Sequence, residues 1–192
     1  MAANEHTVLN SAGGPLFRRP DLSHEEFAMA WHQHGQLVTP WCLHCGVWEY
    51  IQIHMSAPAS SPEGLGSGPR SGSGSEAEGG DTIESKARRI LQQADGVAIM
   101  RRYDVPTEAG KLYFNSVVLV DERRFLHDEA GAGAVVGNPP VYDVPALHVD
   151  VWREMALSMG GVEYVKIKDG KDVAGGATWE EWERVEREKE AR

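Results

Sequence analysis

The sequence predicts an α+β fold on the ferredoxin-like split βαβ plan, and three observations carry that expectation. Periodicities alternate in the order strand, helix, strand, then strand, helix, strand. The strand segments are short and rich in β-branched and aromatic residues. The chain has 192 residues, the size of one domain with a sizeable core. In that plan the helices cover one sheet face. The other would expose Trp48, Tyr50 and further apolar groups, and pairing with a second copy would cover them.

Taken in order, the first strand is expected in two pieces, Thr7-Val8-Leu9 and Leu16-Phe17, because Ser11-Ala12-Gly13-Gly14-Pro15 between them forces a break or bulge. Ser23-His24-Glu25-Glu26 is a capping box, which starts a helix over 24–37 with Phe27, Ala30, Trp31 and Val38 on its apolar stripe. VWEYIQIH then reads as a strand over 47–54. Val47, Ile51 and Ile53 share one of its faces; Trp48, Tyr50, Gln52 and His54 share the other.

Residues 56–81 are Ser, Gly, Pro, Ala and acid with a single leucine, too little apolar surface to offset the entropy of ordering, so they read as a flexible insertion. A helix over 84–93 and a strand over 97–103 follow. Pro106-Thr107 start a helix running through LYFNSVVL, with a further turn at DERRFLHD; 130–140 reads as a loop. Residues 161–167 alternate as a last strand, closed by the turn Lys168-Asp169-Gly170. Residues 1–176 thus form one domain carrying the insertion. Residues 177–192, with Trp179, Trp182 and Val185 at helical spacing, form a charged amphipathic C-terminal helix.

The formal charge of −10, with no basic cluster larger than Arg18-Arg19 or Arg101-Arg102, argues against nucleic acid or an anionic membrane as partner. With no run of about 18 apolar residues and no leader pattern, a soluble cytoplasmic protein is expected.

The densest chemistry lies in residues 31–54, which hold four of the eight histidines, three tryptophans and both cysteines. At about 100° per residue His34 falls about 20° from Phe27, on the buried stripe, while His32 falls about 140° away, toward solvent. His54, Gln52 and Tyr50 share a strand face, which suggests a lined cavity; a wetted edge strand is the plainer alternative. Cys42-Leu43-His44-Cys45 lacks a fourth zinc ligand and follows a helix rather than a strand, so neither a metal site nor a redox pair is expected; the cysteines read as apolar filler.

FRRPDLSHEEFAMAWHQHG, with Phe27, Trp31, His34 and Gly35 as F-x-x-x-W-x-x-H-G, resembles the opening of EthD-domain proteins. LVTPW with GVWEYIQIH, then ADGVAIM and LVDERRFLHD, resembles the fungal polyketide-tailoring branch of that family. The resemblance implies a homodimeric α+β barrel without cofactor or metal, acting on a small aromatic polyketide acid by decarboxylation, dehydration or cyclisation. On that reading His34 is the general acid/base, with His54 as its partner or as donor to a substrate oxygen. Tyr50 and Gln52 donate to phenolic or keto oxygens. Asp121, matching the family's D-E-x-x-F stretch, orients the histidine, although a helix-cap role is equally open. Arg18 is placed to meet the carboxylate, and Trp31, Trp48 and Phe125 form aromatic wall. Cofactor-free anthrone oxygenation and mere binding of a hydrophobic ligand stay open as alternatives.

Overall fold

The computed structural model describes residues 10–56, 82–102, 107–127 and 144–190. The insertion core at 57–81, the Thr7–Leu9 strand piece, Pro106 and the 130–140 loop lie outside them. Five strands and six helices are present among the described residues: β1 Asn10–Leu16, α1 His24–His44, β2 Val47–His54, α2 Ile83–Leu91, β3 Gly96–Arg102, α3 Glu108–Tyr113, α4 Leu119–Glu122, α5 Val149–Ser158, β4 Val162–Lys168, β5 Lys171–Asp172 and α6 Trp179–Glu190. A π-helical turn at Phe114–Val118 joins α3 to α4.

The sheet is antiparallel throughout, ordered β1-β3-β2-β4-β5. β1 and β2 run the same way with β3 between them, so β1-α1-β2 is one split crossover. β3 and β4 run the same way with β2 between them, and α5 lies on that second connection. In the expected plan the fourth strand sits beside the first; here it sits beside β2. Both crossovers therefore step toward the same edge while their strands point oppositely, and two connections of the usual right hand must then lie on opposite faces.

Accordingly α2 and α5 bury Ala87, Ile90, Leu91, Val149, Trp152, Met155 and Ala156 against Ile51, Ile53, Val97 and Ile99. On the other face α1 buries Phe27, Trp31, Val38 and Trp41 in clusters that include Tyr50, Ala98 and Met100. The expectation of helices on one face is thus corrected. The bare sheet face that motivated pairing with a second copy is not found among the described residues, because α1 covers the face of Tyr50 while α2 and α5 cover the face of Ile51 and Ile53.

α5 had no counterpart in the sequence expectations. Its signals were present, with Val149, Trp152, Met155 and Ala156 at helical spacing and Gly160-Gly161 at its end. Arg153 ties it to β4 by a two-pronged pair with Glu163 at 2.8 and 2.9 Å.

The capping box forms as expected: Glu26 N–H donates to Ser23 Oγ at 3.1 Å and Ser23 N–H to Glu26 Oε2 at 2.8 Å. The helix, however, runs seven residues past the expected end, straight through Pro40. Proline deletes one N–H and leaves the Gln36 carbonyl without its helical donor. Gly176 packs against that carbonyl, where a Cβ would stand 2.3 Å from the oxygen. Burial of Val38, Trp41, Cys42 and Cys45 in one cluster outweighs the lost bond.

β1 is also continuous where a break was expected, pairing with β3 from Asn10↔Arg102 to Leu16↔Gly96. It is an edge strand, so Pro15 needs no ladder donor on its outer side, and Gly13 lets the chains approach where a Cβ would meet the Ala98 carbonyl oxygen at 2.1 Å. A bulge between Val47 and Glu49 moves Val47 to the α1 face, correcting its expected grouping with Ile51 and Ile53.

Candidate active site

His34 comes into the interior because seven residues of helix return it to the side of Phe27; it is 3% exposed. Its Nδ1–H donates to Asp121 Oδ2 at 2.8 Å, and its Nε2 lies 3.7 Å from Glu122 Oε1. The π-turn inserts one extra residue ahead of α4, which rotates the residues after it around the helix axis, and both carboxylates of α4 end beside the ring. Asp121 also accepts from Arg124 Nη1 at 2.8 Å, so it bridges a buried imidazole and an exposed guanidinium.

Burial alone would push His34 down, but the hydrogen bonds and charges of Asp121 and Glu122 outweigh it and hold the imidazole above its ordinary value. Asp121 is held low, first by the His34 bond and further by Arg124, against the opposing effect of burial. The resting pair is therefore biased toward imidazolium and carboxylate.

A partly open cavity of about 140 Å³ lies on the inner side of His34. Trp31, Trp41, Tyr50, Glu122 and Phe125 are among the groups that line it with His34. On the outer side a cleft of about 200 Å³ is lined by His34, Asp121, Arg124 and Phe125, with Ala30, Gln33 and Leu37. His34 and Phe125, whose rings meet edge to face at 5.1 Å, border both spaces. Each alone is smaller than the roughly 300–1,000 Å³ of an ordinary ligand pocket.

Tyr50 lines the cavity with its hydroxyl accepting from Gln52 Nε2 at 3.1 Å, and burial pushes the phenol far up, so it stays protonated. Trp31 and Phe125 also line the cavity. Four expected site residues fall elsewhere. Gln52 is fully buried and donates to the Trp31 carbonyl at 2.7 Å, fastening β2 to α1 rather than lining the cavity. Trp48, displaced by the bulge, lies under the Arg101 guanidinium, 5.9 Å from ring centroid to Cζ. Arg18 is held by Asp95, through both its guanidinium and its backbone N–H, and by the Leu22 carbonyl.

His54 is the main correction. It shares a strand face with Tyr50, yet the indole of Trp31 stacks on it at 4.5 Å and 23°, and the cavity is bounded by Trp31, not by His54. Burial first, then the neighbouring His32, Lys166 and His24, lower it to about 4. It is a neutral imidazole at physiological pH and does not join His34 in one hollow.

Glu122 and Trp41 were missed as cavity groups. Glu122 stood next to Asp121 in DERRF, but only the π-turn brings both beside one ring. Cys42 and Cys45 are free thiols buried in the cluster with Val38, Val47 and Tyr113, and burial raises Cys42. Among the described residues no group of three or more His, Cys, Asp or Glu side chains is arranged to hold a metal ion, and no helix is long and apolar enough to cross a membrane.

Compared with known proteins, residues 19–77 match the family model of the EthD domain. The match spans just under a third of the chain and includes α1 and β2, the elements that carry His34, Tyr50 and Trp31. It supports the family resemblance. No curated protein and no solved structure matches at a significant level.

Proposed function

We propose that this protein is a cofactor-independent acid–base lyase that decarboxylates an aromatic polyketide carboxylic acid, with His34 as the proton donor. The observation that carries the reading is the His34–Asp121 pair at 2.8 Å, with His34 bordering a cavity lined by aromatic and aliphatic side chains. The EthD match on the same helix supports the family, and the substrate class is taken from the resemblance of LVTPW, GVWEYIQIH, ADGVAIM and LVDERRFLHD to its polyketide-tailoring branch.

In the proposed step the bond from ring carbon to carboxylate breaks, CO2 leaves, and its electron pair passes into an adjacent keto group as an enolate. His34, as imidazolium, delivers a proton to that carbon, and Asp121 holds the cation's orientation and charge. Tyr50, kept protonated by its surroundings, faces the developing oxyanion. The reacting ring occupies the inner cavity while the rest of the substrate lies in the outer cleft. His54, neutral and screened by Trp31, has no part in the proton transfer.

A second reading has its own support. Glu122 beside His34 gives the cavity a carboxylate and an imidazole together, the pair that dehydration or ring closure needs to remove one proton and supply another. Incubation with anthraquinone-type and β-keto aromatic acids, followed by mass analysis for loss of CO2 against loss of water, separates the two. His34→Gln is expected to lower either activity by about 10²–10⁴-fold. Undiminished turnover in that variant sinks both. The family reading also carries a homodimeric barrel, and sedimentation equilibrium at micromolar concentration tests it.

A further inference from the structure

On the far side of Trp31 from the His34 cavity, α1, β2 and β4 enclose a second group of polar side chains that the proposed reaction does not use. Lys166 is 3% exposed, and its stem lies across Gly35, where a Cβ would meet its Cε at 2.6 Å. Its Nζ donates to the His32 carbonyl at 3.2 Å and to His32 Nδ1 at 3.1 Å. The second bond requires that nitrogen to be unprotonated, so His32 is neutral here. Burial of His32 first, and then the charge of Lys166, favour the same state.

No carboxylate lies within ion-pair distance of Lys166 among the described residues, although the chain carries ten more acidic than basic groups. A buried cation is ordinarily paired, because desolvation of an unpaired charge is expensive.

His54 sits in the same group. Its ring meets Tyr164 at 4.8 Å and His32 at 6.3 Å, the two residues that also flank Lys166 Nζ. It is 9% exposed, and its Nε2 is buried with no hydrogen-bond partner among the described residues. With its proton on Nε2, the orphaned ring nitrogen beside an unbalanced ammonium asks for one acceptor that carries one negative charge. His32 and Tyr164, which flank the two buried groups, are themselves exposed, Tyr164 at 39%, so the group lies just beneath the surface.

We infer that Lys166, His54 and His32 form a binding site for the carboxylate of a small organic acid, separate from the His34 cavity. A carboxylate oxygen accepts from the Lys166 ammonium and from His54 Nε2–H, which neutralises the buried charge and satisfies the orphan together. The single charge favours a carboxylate over phosphate, which carries about −1.5 to −2 near neutral pH. The exposed ring of Tyr164 beside His54 suits an aromatic or otherwise apolar body on the acid.

The test is an NMR titration of the full chain with benzoate, following the imidazole resonances of His32, His54 and His34, with inorganic phosphate as a parallel arm. Saturable shifts at His54 and His32 are expected, weakened about tenfold or more by Lys166→Met, since a charge-assisted hydrogen bond is lost. His34→Gln should leave the midpoint unchanged, which separates this site from the proposed reaction. Absence of saturable shifts, or an unchanged midpoint in folded Lys166→Met, overturns the inference, as does preference for phosphate over benzoate. Should Lys166→Met not fold, the parent protein decides. From pH 7.5 upward His32 and His54, both held below the ordinary imidazole value, carry no charge, so benzoate affinity must fall as Lys166 loses its proton. Affinity independent of pH there equally overturns it.

Discussion

Gly96→Ala tests the partition between the two sites directly. Gly96 lies in the middle of the sheet, paired with Leu16 on one side and His54 on the other. Trp31 rests on it: a Cβ there would stand 2.1 Å from Cζ3, 2.6 Å from Cη2 and 3.0 Å from Cε3 of the indole. Carbon atoms prefer about 3.5–4.0 Å, so the ring would have to lift by more than about 1 Å. It has nowhere to go. Trp31 is 1% exposed, with His54 stacked at 4.5 Å and Phe27 at 5.6 Å.

Overpacking of this kind costs about 1–3 kcal/mol. For a chain of this size each kcal/mol moves the melting temperature by about 2–4 °C, so a fall of about 2–12 °C is expected by calorimetry. Trp31→Phe in the same background, with a shorter ring, should recover part of the loss, and a double-mutant cycle should show coupling of about 0.5–3 kcal/mol. A Gly96→Ala protein that melts at or above the parent temperature would refute the packing argument, and with it the claim that Trp31 walls His54 off from the cavity.

Two further outcomes follow from charge. His34 is held above its ordinary value, so its contribution to stability is fully present below about pH 6.5 and is lost as pH rises through the raised value. Asp121→Asn removes the first of the bonds that hold it up, and the His34 midpoint, read from the imidazole C–H resonance, should move to lower pH; an unmoved midpoint would show that Asp121 does not govern the ring. His54 has the opposite sign. Its folded value of about 4 lies below an unfolded value of about 6.5, so stability declines as pH falls between those limits and is flat in this respect below them. His54→Phe should shrink the decline in the urea midpoint over that interval, and an identical slope in parent and variant would contradict the burial argument.

Much of the local structure was legible because it depends on neighbours in sequence. The capping box at Ser23–Glu26, the inward turn of His34 and the alternation that puts Tyr50, Gln52 and His54 on one side of β2 follow from helix and strand geometry alone. Residues that such periods place on a face need not share a cavity, however. Whether His54 reached His34 depended on one indole, and Trp31 stands where Gly96, 65 positions along the chain, leaves room for its ring. Arg18 was legible as a strand-end cation, but its partner Asp95 is remote in sequence, so its commitment to that carboxylate was not.

The sequence by itself determined which segments are helix or strand over most of the described chain, that His34 points inward, and that Cys42 and Cys45 pack as apolar side chains, since each depends on the repeat of one element and the chemistry of its own residues. Tertiary structure alone decided that β4 lies beside β2, which sends α5 to the opposite face, and that the π-turn swings Asp121 and Glu122 against one imidazole. It also decided that Lys166 is buried with no carboxylate within ion-pair distance among the described residues. These outcomes depend on strand order and on close approaches between distant residues, and local periodicity carries no information about either.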